Sequence, residues 1–206
     1  MDGSVTASPR PRSPGRPREF DPDQALDKAI GAFSENGYCA TSLGKLTAAM
    51  EIAEGSLYKA FRDKRGLFLA AFERYVMVRS ERLAQELASA RTGRDKVRAV
   101  LAVYAEYSHG KTGRRGCLVV GSAVDLASSD REMAKRVAAV LAGQERRLVA
   151  FIREGQEDGS ASLRVDAAVT ARLLLCVVQG MRVLGKTGRT REEMASLVDS
   201  ALRLLD

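Results

Sequence analysis

Apolar residues recur at steps of three and four along almost the whole chain, which is the spacing of one face of an α-helix. No segment shows the sustained alternation of apolar and polar residues that a half-buried strand requires. The pattern therefore predicts an all-α chain of about nine helices. The predicted helices lie near 21–37, 42–50, 54–61, 63–90, 95–109, 116–127, 130–157, 165–185 and 190–205.

Residues that favour helix starts and stops support the first four of these boundaries. Asp21 is followed by Pro22, and proline suits the first position of a helix. Ser42 and Asp63 stand where N-cap side chains are preferred. Gly37 can adopt the left-handed conformation that ends a helix. The first 66 residues should therefore hold three short helices and the start of a long one.

Residues 1–19 differ in composition from the rest. They contain four of the five prolines and four arginines but hardly any apolar residue. We expect a disordered basic arm that either enters a DNA minor groove or remains a solvated tail. It lacks the apolar core of a secretory signal, and we expect no membrane-spanning segment elsewhere.

Composition narrows the function classes. The chain has 206 residues, 45% of them hydrophobic, and a net charge of +7, which favours an acidic partner such as nucleic acid. That charge lies mostly in residues 66–206, because residues 1–65 have 10 basic and 9 acidic side chains. Three widely spaced cysteines indicate a reducing compartment, the cytoplasm. The single His109 and the absence of nucleotide-binding glycine motifs predict no enzyme, no metal site and no cofactor.

The segment 42–61 has the helix, tight break and helix of a helix-turn-helix, in which the second helix enters the major groove. The residues around it are Gly15-Arg16-Pro17-Arg18, Ala29-x-x-x-Phe33, Gly37-Tyr38, Thr41-Ser42, Gly55-Ser56-Leu57-Tyr58-Lys59-Ala60-Phe61, Asp63-Lys64 and Leu67-Phe68. Taken together, they closely resemble the N-terminal DNA-binding domain of the TetR family of transcriptional regulators.

The resemblance implies a DNA-binding domain at 20–66 and a regulatory and dimerisation domain at 67–206. It further implies a homodimeric repressor that binds a palindromic operator in double-stranded DNA and is released by a small-molecule inducer. A regulator of the same fold that activates transcription stays open. An all-helical enzyme or carrier is the rival class, but it would need catalytic groups that the sequence lacks.

The expected recognition helix has small residues at its start, which let its backbone approach DNA, and polar side chains on one face. Tyr58 and Lys59 suit phosphate oxygens, whereas Leu57 and Phe61 face the domain core. Other contacts are expected at the starts of the neighbouring helices, where Thr41 and Ser42 are equally well explained as caps. The expected DNA contacts are Thr41, Ser42, Gly55, Ser56, Tyr58, Lys59 and Lys64.

Two positions depart from the family pattern. Glu51 stands where the family usually has glycine, in an expected left-handed position that costs about 1 kcal/mol for a residue with a side chain. Ala53 replaces the usual serine or threonine cap of the recognition helix, at a cost of about 1 kcal/mol. Both departures predict modest operator affinity.

The C-terminal region is expected to bind the ligand and to dimerise. The last two helices carry broad apolar stripes that would form a four-helix bundle with a second copy. The expected interface consists of Val169, Leu173, Cys176, Val177, Gly180, Leu184, Met194, Leu197, Val198, Ala201, Leu202 and Leu205. The expected ligand pocket consists of Met77, Tyr104, Tyr107, Cys117, Val120, Phe151 and Gln179, each of which plain core packing would also explain.

Cys117 carries an alternative function. It follows Gly116 at an expected helix start, with Arg114 and Arg115 just before it, and both features favour a reactive thiolate. The chain would then sense electrophiles or oxidants, although the default interpretation is a buried cysteine that packs as a small hydrophobe. By the family layout, the loop with His109, Lys111, Arg114 and Arg115 returns toward the DNA-binding domain.

Overall fold

The computed structural model describes residues 20–206, so the predicted basic arm at 1–19 lies outside the described residues. The all-α class is confirmed, since the described residues form helices and no strand. The helices are α1 Pro22–Ala40, α2 Leu43–Met50, α3 Glu54–Phe61, α4 Lys64–Leu87, α5 Gly93–Glu106, α6 Gly110–Arg115, α7 Leu118–Asp125, α8 Arg131–Glu157, α9 Ala167–Gly185 and α10 Arg191–Leu202, followed by a 3₁₀ turn at Arg203–Leu205.

The caps explain where the early helices begin. The Asp21 carboxylate accepts from the amide of Asp23, and the Ser42 and Asp63 side chains cap α2 and α4. Gly37 breaks α1 with φ 78° and ψ 169°. One element differs from the prediction: the segment expected as a loop around 111–115 forms the six-residue helix α6.

Two hydrophobic clusters hold the chain together. The first joins α1–α4 to α7 and the start of α8, with the Phe33 and Phe68 rings 4.9 Å apart and nearly perpendicular. The second joins α5, the rest of α8, α9 and α10. Because α7 belongs to the first cluster, the helix-turn-helix packs directly on the C-terminal region.

The prediction that both last helices contribute a dimer stripe is wrong for α10. Its apolar side chains pack inward against α5 in the second cluster, so they are not available to a second copy. Leu197 is half-buried beside them. Five residues of the expected interface are buried and are therefore wrong as dimer contacts: Met194, Val198, Ala201, Leu202 and Leu205.

The expectation that no segment could span a membrane also needs correction. Helix α9 has 19 residues and is apolar enough to pass that test by length and composition. Its hydropathy comes from two sides: Leu174 and Val178 lie in the core, while Val169 and Leu173 are exposed. A helix of this kind within a packed fold is weak evidence for a membrane span.

Candidate DNA-binding helix and ligand cavity

The turn between α2 and α3 has the geometry of a helix-turn-helix. Glu51 adopts the predicted left-handed conformation, with φ 58° and ψ 41°. The amide of Ile52 donates to the carbonyl of Thr47 at 3.2 Å, which closes α2. The Glu51 carboxylate pairs with Lys28 at 2.7 Å, so a cation from α1 partly neutralises its charge.

Helix α3 presents two distinct faces. Leu57 is fully buried on the side of α3 that packs against α2 and α4, while the opposite face carries Tyr58, 43% exposed, and the exposed Lys59. Gly55 is also exposed, and a Cβ added there would meet no atom within 4 Å. Ala53 precedes the helix without a capping side chain, as its sequence predicts. The exposed face is therefore narrow, small at its start and basic at its end.

The residues at the starts of α2 and α4 divide into two groups. Ser42 is exposed, and its hydroxyl accepts from the amide of Lys45 at 3.2 Å. Thr41 is fully buried, and its hydroxyl donates to the carbonyl of Gly37 at 2.6 Å. The expectation that Thr41 contacts DNA is therefore wrong, because its side chain closes the break in α1.

Lys64 begins α4 beside an aromatic ring. Its ammonium lies 4.4 Å from the centre of the Tyr38 ring, an attractive cation–π contact. The Asp63 carboxylate accepts from the amide of Gly66 at 2.7 Å, so that amide is already occupied at this helix start. Burial raises the pKa of the Tyr38 hydroxyl. The Lys64 ammonium can therefore attract a nearby anion, whereas the Gly66 amide is already used.

A cavity of about 340 Å³ lies between α4, α5, α7, α8 and α9. It brings together four of the seven expected ligand residues: Tyr104, Tyr107, Cys117 and Gln179. The other lining residues are Tyr75, Val76, Arg79, Ser80, Leu83, Val103, Val119, Ala139, Val140, Gly143, Gln144, Arg147 and Arg182.

The remaining three expected ligand residues lie elsewhere. Met77 is 48% exposed, on the side of α4 that faces solvent. Val120 packs against the first hydrophobic cluster and Phe151 against the second. Met77 and Val120 each neighbour a lining residue, Val76 and Val119, but point away from the cavity, whereas Phe151 lies one helical turn beyond Arg147, the last lining residue of α8.

Cys117 is the N-cap residue of α7 and is buried at the cavity wall. The hydroxyl of Tyr75 lies 3.3 Å from its sulfur, within hydrogen-bond distance. Burial raises the pKa of the Tyr75 hydroxyl, and it also raises the pKa of Tyr104 to about 12. Both phenols are therefore neutral hydrogen-bond donors in this cavity. Cys39 and Cys176 are exposed.

Three arginines in the cavity wall were not among the expected site residues. Arg79 lies over the Tyr107 ring, with 3.3 Å between its guanidinium carbon and the ring centre. Arg182 is only 2% exposed and donates to the carbonyl of Gly116 at 2.5 Å and to the Ser108 hydroxyl at 3.4 Å. Arg147 is exposed. An arginine inside the apolar run of α9 was the available sequence signal for Arg182.

The outward side of α9 is apolar. Val169 is 59% exposed, Leu173 and Leu184 are exposed to a similar degree, and Cys176 is exposed between them. A Cβ added at Gly180 would meet no atom within 4 Å, so the helix surface there is open. Half-buried Val177 lies on the same helix. This row is the part of the expected dimer stripe that remains uncovered.

Comparison with known proteins agrees with this arrangement. Residues 25–71 match the model of bacterial regulatory proteins of the tetR family, and residues 93–201 match the tetracyclin repressor-like C-terminal domain. The HTH-type transcriptional repressor ComR of Escherichia coli (strain K12) is 31% identical over 194 residues, which cover 94% of this chain and 92% of ComR.

Two solved structures extend the comparison. A cysteine mutant of the TetR family regulator CifR, complexed with a 26-base-pair operator DNA, aligns with a TM-score of 0.82 at 32% identity, covering 93% of this chain and 100% of that one. FadR from Bacillus subtilis in complex with stearoyl-CoA aligns with a TM-score of 0.70 over 88% of this chain and 96% of that one. At 20% identity, FadR shows likeness of fold alone.

Proposed function

Because the chain belongs to the TetR family of transcriptional regulators, we propose that it is a homodimeric repressor that binds a palindromic operator and leaves it when a small molecule enters the cavity. The exposed polar face of α3, fastened from behind by Leu57, is the observation that carries this proposal. The names of ComR as a repressor and of CifR in complex with operator DNA support it. Such a protein acts where the DNA is, in the cytoplasm.

The proposed DNA contacts lie on α3 and at the starts of α2 and α4. Gly55 and Ser56 allow close approach, Tyr58 and Lys59 reach phosphates or base edges, and Lys64 adds positive charge. The proposed set is Ser42, Gly55, Ser56, Tyr58, Lys59 and Lys64.

Dimerisation is proposed to cover the exposed apolar row on α9. The set is Val169, Leu173, Cys176, Val177, Gly180 and Leu184, and burial of such a row between two copies is favourable. A two-fold dimer suits the operator, because its two recognition helices would meet half-sites about 34–36 Å apart or a multiple of that distance. This use of α9 also accounts for its apolarity without a membrane.

The cavity is proposed to communicate with α3 through α6 and α7. Arg182 in the cavity wall holds the carbonyl of Gly116, and a Cβ at Gly116 would lie 3.1 Å from the carbonyl of Ser34 in α1. Arg115 also pairs with Glu35 of α1 at 3.1 Å. A ligand that moves the α6–α7 segment would shift α1 and the helix-turn-helix with it, and the ligand need only bind one arrangement more tightly than the other.

Operator binding is testable with the DNA upstream of the chain's own coding sequence. Mobility shift over a salt series should show affinity that falls steeply with salt, because phosphate contacts release counterions. Lys59→Ala should weaken binding and reduce the salt slope by about 1 per protomer. Lys135→Ala, an exposed lysine on α8, is the matched control. Salt-independent binding would refute the DNA contacts, and a lower melting temperature of Lys59→Ala would assign Lys59 to folding.

The second candidate is an electrophile-sensing regulator acting through Cys117. The observation that favours it is the position of the Cys117 sulfur in the cavity wall, 3.3 Å from the Tyr75 hydroxyl. Iodoacetamide would form a carbon–sulfur bond there, as the thiol loses its proton and iodide leaves the reagent. Iodoacetamide should then release the wild-type protein from operator DNA but leave Cys117→Ser bound. Equal release of the two proteins would exclude this mechanism.

A further inference from the structure

The charges in the cavity wall are unbalanced. Arg79, Arg147 and Arg182 all line the cavity, and no aspartate or glutamate stands among its lining residues within 20–206. None of the three arginines forms an ion pair with a carboxylate in that part of the chain. Charged groups that are removed from water are normally paired, because an isolated buried charge is costly. The cavity thus has a positive charge without a protein counterion.

Arg79 is the arginine best placed to receive a ligand. One of its terminal nitrogens, Nη1, is buried without a hydrogen-bond partner. The guanidinium carbon lies over two rings, 3.3 Å from the centre of Tyr107 and 4.8 Å from that of Tyr75. Stacking fixes the plane of the group and leaves its in-plane N–H groups unused. A planar carboxylate is the acceptor that matches this donor geometry.

The other two arginines differ from Arg79 in their partners and exposure. Arg182 is buried, and its donors are committed to Gly116 and Ser108, so it contributes charge at a fixed position. Arg147 is exposed on α8 and lines the same cavity. An anion bound in the cavity is therefore surrounded by three positive charges.

The rest of the wall limits the ligand to a small amphipathic molecule. Leu83, Val103, Val119 and Val140 form an apolar part, while the Tyr104 hydroxyl is a neutral donor. The volume of about 340 Å³ is at the lower end of the range for ligand pockets, about 300–1,000 Å³. A short hydrocarbon or single aromatic ring fits this volume, whereas a coenzyme A thioester does not.

We propose that this cavity binds a small organic monocarboxylate, with its carboxylate on the guanidinium of Arg79 and its hydrocarbon body against the valines. The positive charges of Arg147 and Arg182 increase selectivity for the anion over a neutral molecule of the same shape. Only the consequence of binding, release of operator DNA, rests on the function proposed above. Binding itself is a property of the free protein.

The direct test compares acids with their neutral amides. The probes are straight-chain carboxylates from butyrate to decanoate and benzoate, each paired with its amide, in titration calorimetry with the full chain. Tyrosine fluorescence provides a second readout, because the chain has no tryptophan and three of its five tyrosines line the cavity. At least one acid should bind saturably, and its amide should bind at least about tenfold more weakly, since a charge-assisted hydrogen bond is lost.

Arg79→Gln should raise the dissociation constant of that acid at least about tenfold, whereas Arg131→Gln, an exposed arginine at the start of α8, should leave it unchanged. Arg79→Lys retains the charge and should bind more tightly than Arg79→Gln, which separates loss of binding from misfolding. Binding of none of the acids, equal binding of acid and amide, or wild-type affinity in Arg79→Gln would overturn the proposal.

Fluorescence anisotropy of labelled operator DNA separates this proposal from the proposed function. An acid that binds the free protein without releasing the DNA would support the carboxylate site and refute induction through it. Intact operator binding by a protein that binds none of the acids would refute the carboxylate site and leave the DNA-binding function standing.

Discussion

Gly55 is a position at which helix stability and DNA binding make opposite demands. A Cβ added there meets no atom within 4 Å, so Gly55→Ala introduces no clash into the free protein. Alanine is favoured over glycine by about 0.5–1 kcal/mol in a helix interior, and Gly55 lies in the first turn of the eight-residue α3. We expect the free energy of unfolding to rise by about 0.5 kcal/mol and the melting temperature by about 1–2 °C.

Operator affinity should change in the opposite direction. The added methyl group stands on the face that the proposed function places in the major groove, so α3 must withdraw or tilt to accommodate it. Loss of one hydrogen bond to a charged phosphate costs about 1.5–3 kcal/mol, which lowers operator affinity at least about tenfold. Anisotropy of a labelled operator measures the affinity, and urea unfolding measures the stability.

Gly121→Ala is the matched control. Gly121 lies inside α7, and a Cβ there also meets no atom within 4 Å. The substitution should raise the free energy of unfolding by up to about 1 kcal/mol without a change in operator affinity. If Gly55→Ala bound operator DNA as tightly as the wild type, the start of α3 would not approach DNA closely, and the proposed roles of Gly55 and Ser56 would be wrong.

Three further substitutions test other parts of the structure. In Gly66→Ala the new Cβ would lie 2.1 Å from the carbonyl oxygen of Phe61, so α3 must move relative to α4. Operator affinity, measured by anisotropy, should fall, and the free energy of unfolding should decrease by about 1–3 kcal/mol. Burial raises the pKa of the Tyr104 hydroxyl from 10.0 to about 12, so this group stabilises the fold fully below pH 10, and about 3 kcal/mol of that stability is lost as the pH rises to 12. Tyr104→Phe should therefore flatten the alkaline limb of the stability curve, which urea titrations would measure. Gly116→Ala places a side chain at φ 95°, with its Cβ 3.1 Å from the carbonyl of Ser34. The substitution should destabilise the fold by about 1–2 kcal/mol and lower the melting temperature. It should also change the ligand concentration needed for operator release.

Features that depend on neighbouring residues in the chain were predictable from the sequence. The caps Asp21, Ser42 and Asp63 act within their own first turns, and each begins a helix as predicted. The left-handed turn at Glu51 and the uncapped start at Ala53 were expected from the resemblance to the family, whose glycine and cap they replace. The recognition helix could therefore be located to the residue.

Features that depend on which helices meet could not be predicted in the same way. The apolar stripes of α9 and α10 look alike in sequence, but α10 lies against α5 and its Met194 and Leu202 are buried. On α9, Leu174 is buried one residue after the exposed Leu173. A hydrophobic stripe predicts that a face is covered, and it does not distinguish cover by the same chain from cover by a second copy.

The distribution of charge connects these findings to the function. The net charge of +7 suggested nucleic acid, although residues 1–65 carry only +1 of it. Part of the remaining excess consists of Arg79, Arg147 and Arg182, which come from three helices and face one cavity without a carboxylate among its described lining residues. An anion in that cavity would neutralise charge that the DNA-binding face does not use. The operator would then be recognised by a few side chains on α3. Part of the chain's overall positive charge would serve to bind an anionic ligand rather than DNA.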